Sequence, residues 1–112
     1  MNDSTIKKNM IKLIAYYKNL EGKKFNLDYY LNSHLPMIKR LTGDALKQVA
    51  VDKGFSGGEP GSKPFYLIVA HLYFDNIDAF QSSLVPHFAE IMSDVPNYTD
   101  IEPVFQISEV LR

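Results

Sequence analysis

At 112 residues, with 46% apolar and 22% charged side chains, the chain has the size and composition of one folded domain and not of a disordered segment. Its 12 Lys and Arg against 13 Asp and Glu leave a net charge of -1, so it carries no basic footprint for nucleic acid or an anionic membrane surface. The lack of cysteine excludes a disulfide framework, a thiolate nucleophile and thiolate metal ligands, and no apolar run approaches bilayer length.

Residues 1–9 read as a polar N-terminal tail and 10–112 as the domain. No signal-peptide pattern follows MNDSTIKKN, and a cytoplasmic location is expected. Met10 to Tyr17 alternates as a first strand, with Ile11, Leu13, Ala15 and Tyr17 on one side and Met10, Ile14 and Tyr16 on the other, both sides largely apolar. After a turn containing Gly22, Lys24 to Leu41 reads as a helix capped by Asn26, with Phe25 stapled onto Tyr30. Helical spacing then puts Leu27, Tyr30, Leu31, His34, Ile38 and Leu41 on one buried face. Pro36 lacks an N–H and crowds the carbonyl of Asn32, so a kink or break beside His34 is expected, and a pocket there. Gly43 is the expected C-cap.

Leu46 to Lys53 reads as a short edge strand. Gly54 to Lys63 is glycine-rich but lacks the GKS or GKT ending of a phosphate-binding loop and precedes a strand, so it reads as a flexible hairpin loop or lid. Phe65 to Phe74 is the strongest strand signal and is expected at the sheet centre. Phe65, Leu67, Val69, His71 and Tyr73 share one face, and Tyr66, Ile68, Ala70, Leu72 and Phe74 the other. Asp75 or Asn76 caps a second helix from Ile77 to Leu84, with Ile77, Phe80, Gln81 and Leu84 at helical spacing. Pro86 starts another turn, His87 to Met92 continue as helix, and Val95 and Pro96 end it. Val104 to Leu111 is the last strand. The order strand, helix, strand, strand, helix, strand with right-handed crossovers predicts an α+β, ferredoxin-like βαββαβ domain with a four-stranded antiparallel sheet. Two helices cover one sheet face, whereas the first and third strands are apolar on both. A second subunit is the simplest cover, giving a homodimeric α/β barrel.

The segments MIKLIAYYK, FNLDYYLNSHLP, LYFDNIDAF and VPNYTD, spread from Met10 to Val110, resemble the EthD family of dimeric α/β-barrel proteins, named for a role in ethyl tert-butyl ether degradation. The most specific part is Phe25 with Tyr30 and the triplet His34, Leu35, Pro36. The resemblance implies the fold, dimerisation and a pocket for a small organic molecule. It does not imply one reaction, since related barrels include monooxygenases, isomerases, cyclases, haem proteins and apparent non-enzymes.

His34 corresponds to the family's histidine before proline. It reads either as a general acid/base, for proton transfer or cofactor-free oxidation of a hydrophobic or aromatic compound, or as a structural histidine bonding a backbone carbonyl in a non-catalytic binding protein. His71 breaks an apolar strand face, as a pocket residue or as a polar group at the dimer interface. His87 reads as a surface residue. Seven tyrosines, Tyr16, Tyr17, Tyr29, Tyr30, Tyr66, Tyr73 and Tyr98, offer rings and hydroxyls suited to an aromatic ligand. Of these Tyr16, Tyr30, Tyr66, Tyr73 and Tyr98, with His71, are the expected ligand-lining set. No HxH or HxxxH pair supports a metal centre, and no cofactor is expected. No pair of carboxylates flanks the expected cleft.

Overall fold

The computed structural model describes residues 6–112. Strands β1 (Ile11–Lys18), β2 (Gln48–Lys53), β3 (Tyr66–Phe74) and β4 (Val104–Glu109) form one antiparallel sheet in the order β2-β3-β1-β4. The two most apolar strands take the centre. The more polar β2 and β4 take the edges, where water reaches one side of the strand. β2 starts at Gln48 instead of Leu46, and β4 ends at Glu109 instead of Leu111. The tail expected over residues 1–9 falls partly outside the described residues. Its described end meets the sheet, where the Asn9 N–H donates to the Val110 carbonyl at 2.7 Å and the Val110 N–H to the Met10 carbonyl at 2.8 Å.

The first helical layer begins as the sequence indicates. The Asn26 side-chain oxygen accepts from the Tyr29 N–H at 3.0 Å, and the Phe25 ring packs edge-on to Tyr30 with centroids 5.1 Å apart. Helix α1 (Leu27–Tyr29) then widens into a π-helical turn, Tyr30–His34, in which the Leu35 N–H reaches back to the Tyr30 carbonyl, and α2 (Leu35–Thr42) follows. The break expected at Pro36 thus takes the form of a wide turn just ahead of it, and Pro36 itself sits in the first turn of α2. The wide turn changes which residues face inward. Tyr30 and His34 are buried, but Leu31, expected beside them, is 43% exposed. Gly43 ends α2 with φ 63°, its N–H donating to the Lys39 carbonyl, as expected of a C-cap.

The second layer is α3 (Ile77–Ser83), a 3-10 turn Val85–His87, α4 (Phe88–Ser93) and a second 3-10 turn Val95–Asn97. Asn76 caps α3 by accepting from the Ala79 N–H at 2.8 Å. Phe80 and Leu84 enter the core, whereas Ile77 and Gln81, expected at core spacing with them, are exposed. Both helical layers pack on one sheet face, over Leu13, Ala15 and Tyr17 of β1 and Ile68, Ala70, Leu72 and Phe74 of β3. Among the described residues no helix is long and apolar enough to cross a membrane.

The opposite sheet face is left bare of helices. Strand register assigns to it Lys12, Ile14 and Tyr16 of β1, Val69, His71 and Tyr73 of β3, and a border of Gln48, Asp52, Gln106 and Ser108 from the edge strands. The β1–β3 register shifts between Tyr17 and Lys18, so that Lys18 pairs with Tyr66 directly after Tyr17 pairs with Ile68. This irregularity corrects the strict alternation expected of the strand. Tyr66 leaves the face of Ile68 and joins Tyr16, with ring centroids 4.8 Å apart, while Leu67 packs against the core.

Candidate functional site

The site is built where the π-helical turn meets the segment after α4. Thr99 pairs with Phe25 in a β-bridge, and the Asn26 N–H donates to the Tyr98 carbonyl at 2.7 Å. These bonds stitch the start of α1 to residues 95–99 and bring Tyr98 onto His34, with ring centroids 4.6 Å apart. Tyr30 stacks on the imidazole at 5.4 Å and 18°, and its ring also meets Tyr98, with centroids 5.0 Å apart, so the three rings form a triangle. His34 is 3% exposed, facing inward as its spacing indicates.

Its partner is not the backbone carbonyl that the sequence suggests. Nδ1 lies 2.9 Å from an oxygen of Asp94, which follows α4 directly. The other Asp94 oxygen accepts from the Tyr29 hydroxyl at 2.8 Å and the Asn97 side-chain amide at 2.8 Å. Burial alone would push the Asp94 carboxyl upward, but the bonds from His34, Asn97 and Tyr29 outweigh it and hold it below the usual carboxylate range. His34 is driven the other way. Burial disfavours the imidazolium more than the Asp94 carboxylate favours it, so its pKa lies below the ordinary 6.5. The pair is therefore a neutral imidazole donating from Nδ1 to a carboxylate, which leaves Nε2 as the acceptor nitrogen.

Nε2 faces the Tyr98 hydroxyl at 3.4 Å, a loose contact, and Tyr98 shares a short 2.6 Å bond with the Tyr17 hydroxyl. Burial raises the pKa of Tyr17, Tyr30 and Tyr98, so all three remain phenols. These groups form the polar end of a cavity of about 30 Å³ whose other walls are apolar, among them Leu13, Leu72, Phe88, Met92 and Phe105. That volume holds a water molecule or two; a benzene-sized cavity is about 150 Å³, so an aromatic ligand requires wall side chains to move.

Of the residues expected to line a site, Tyr30 and Tyr98 meet at His34. Tyr16, Tyr66, His71 and Tyr73 do not. They lie on the other face of the sheet, where His71 Nε2 stands 3.5 Å from Asp52 and His71 Nδ1 is buried without a hydrogen-bond partner. Asp94, Tyr17 and Tyr29 complete the His34 cluster. Sequence reasoning placed Tyr17 and Tyr29 only in the general aromatic set, and it passed over Asp94. His87, expected at the surface, is half-buried in the 3-10 turn. Among the described residues no group of three or more His, Asp or Glu side chains is arranged to hold a metal ion.

The neutral state of His34 sets a sign for stability. Below pH 6.5 the unfolded chain takes up a proton that the native imidazole resists, so stability falls as pH drops from there toward the lowered native value. Urea midpoints measured from pH 7 to pH 5 are expected to fall more steeply for the wild type than for His34→Gln. Parallel curves would show that His34 is not held neutral.

A profile of the EthD domain matches residues 23–102, which include the whole His34 cluster apart from Tyr17. An EthD-like protein from Ralstonia eutropha of known structure is 38% identical, with 95% of this chain and 96% of that one covered at a TM-score of 0.85. An ethyl tert-butyl ether (EthD) family protein from Bacillus halodurans shares the fold at 20% identity, with 91% and 99% covered and a TM-score of 0.62. So does a dimeric ferredoxin-like protein of unknown function from Thermobifida fusca, at 14% identity, 98% and 100% covered and a TM-score of 0.57. Among curated proteins no relative matches. With the domain match spanning most of the chain and a 38% identical relative covering nearly all of it, the protein belongs to the EthD family.

Proposed function

We propose that the protein binds a small hydrophobic or aromatic compound in the His34 cavity and transfers a proton within it, with His34 as the base. The observation that carries this reading is the division of labour on the imidazole. Asp94 occupies Nδ1 and selects the tautomer, while Nε2 keeps its lone pair 3.4 Å from the Tyr98 hydroxyl, and both residues line the cavity. In the proposed step Nε2 removes a proton from an acidic C–H or O–H of the bound compound. The Asp94 carboxylate stabilises the imidazolium that forms, and Tyr98 donates to the oxygen that gains charge. Returning the proton to a second atom of the compound completes a tautomerisation and restores His34.

The test uses the base-catalysed ring opening of nitrobenzisoxazole. In this reaction a base takes the ring C–H proton, a nitrile forms as the N–O bond breaks, and the electron pair leaves on the phenolate oxygen. The wild type is expected to accelerate it with a rate that rises with pH, has a midpoint below 6.5 and is flat near neutrality. No acceleration over free imidazole, or a midpoint at or above 6.5, overturns the role of base.

A second reading, a non-catalytic binding or accessory protein with a structural His34, is favoured by one observation: both ring nitrogens already have protein partners around a water-sized cavity. The two readings part on the same reaction. We further propose that the bare sheet face pairs two copies into a homodimer. Support comes from Tyr16, Tyr66 and Val69, which lie on that face and stay half-exposed in the single chain with no helix over them, and from the likeness to a dimeric protein of the same fold.

A further inference from the structure

A second apolar hollow of about 340 Å³ opens at the surface between α3, the start of α4 and strand β4. It shares Leu13, Leu84, Phe88 and Phe105 with the His34 cavity. The two spaces therefore adjoin across these four residues. Two of the four are rings, Phe88 and Phe105, packed edge-on with centroids 5.4 Å apart. Phe88 is 37% exposed and opens α4, and His87 ahead of it makes no side-chain cap bond. A partly exposed ring on an uncapped first turn is the wall that moves at least cost. Leu13, by contrast, is fixed on a central strand.

We infer that the groove and the cavity are one bipartite site for a neutral phenol or enol with an apolar tail, the hydroxyl at His34 and Tyr98 and the tail under Phe88 in the groove. This rests on the reading of the His34 cavity as the ligand site and adds the substrate class. Joined, the two spaces reach the range of small-molecule sites, about 300 to 1,000 Å³. Their chemistry is one-sided. Gln106, the one polar residue bordering the groove, belongs by register to the other sheet face and donates there to Ser108, and neither space is lined by Lys or Arg. Nothing there balances a carboxylate, a phosphate or a coenzyme A tail, whereas a phenolic hydroxyl meets a hydrogen-bond acceptor at Nε2.

The probes are 2-naphthol, whose second ring reaches the groove, and phenol, which does not. Ile107→Trp and Val85→Trp each fill the groove from positions that are 50% exposed, so both variants are expected to fold. They should weaken 2-naphthol about tenfold, by fluorescence titration, and leave phenol binding unchanged. Phe88→Ala should speed 2-naphthol association about tenfold in stopped flow. Full 2-naphthol affinity in both Trp variants overturns the bipartite site, even where the His34 ring resonances shift on binding. Should phenol leave those resonances unmoved in the wild type, the cavity reading itself fails. A third result also overturns the inference: Ile107→Trp that changes the sedimentation coefficient but not 2-naphthol affinity, which would mean that a second copy fills the groove.

Discussion

His34→Gln is expected to slow the opening of nitrobenzisoxazole about a hundredfold or more while the chain stays folded and still binds 2-naphthol. Glutamine keeps much of the volume and a polar tip beside Tyr30 and Tyr98 but has no basic nitrogen. Asp94→Asn should act on the same step by another route. The amide no longer fixes the Nδ1–H tautomer or balances the imidazolium, so the rate falls while the pH midpoint moves further down. That movement distinguishes a positioning role from loss of packing, which lowers the amount of active protein without shifting the profile. His34→Ala is the structural control. It should cost about 1 to 3 kcal/mol in urea unfolding through the lost Asp94 bond and an underfilled site. A His34→Gln variant that folds, binds and turns over at the wild-type rate would leave a binding protein, with His34 as a buried strut.

Val69→Asp is expected to convert the proposed dimer into folded monomers. Val69 lies mid-strand on the bare face, half-buried in the single chain and paired in register with Tyr16 on one side and Asp52 on the other. In a monomer the new carboxylate reaches water. In a face-to-face dimer it is buried without a counter-charge and beside Asp52, a penalty of about 3 kcal/mol or more per site. Sedimentation at micromolar concentration reads the result, with circular dichroism to verify the fold. A wild type that sediments as a monomer, or a Val69→Asp protein that stays dimeric, rules out this face as the interface.

The cap at Asn26, the Phe25–Tyr30 staple, the Pro36 interruption and the inward direction of His34 were all legible in the sequence, because each rests on residues within about three helical turns of one another. So was the α+β order of elements, with the most apolar strand at the centre of the sheet, since the edges fall to the strands with more polar side chains. The tertiary structure alone decided what His34 does with its nitrogens. Asp94 is 60 residues away, and in sequence it is one carboxylate among 13 Asp and Glu, at the end of a helix with nothing local to mark it. The structure also decided which tyrosines share the site. Alternation of period two groups the residues of one face without saying which face the helices will cover, and that choice separated Tyr30 and Tyr98 from Tyr16, Tyr66, His71 and Tyr73. Tyr66 was lost to the pattern a second time, because a one-residue shift in pairing with β1 turns its ring to the opposite face, and register is a property of two strands together.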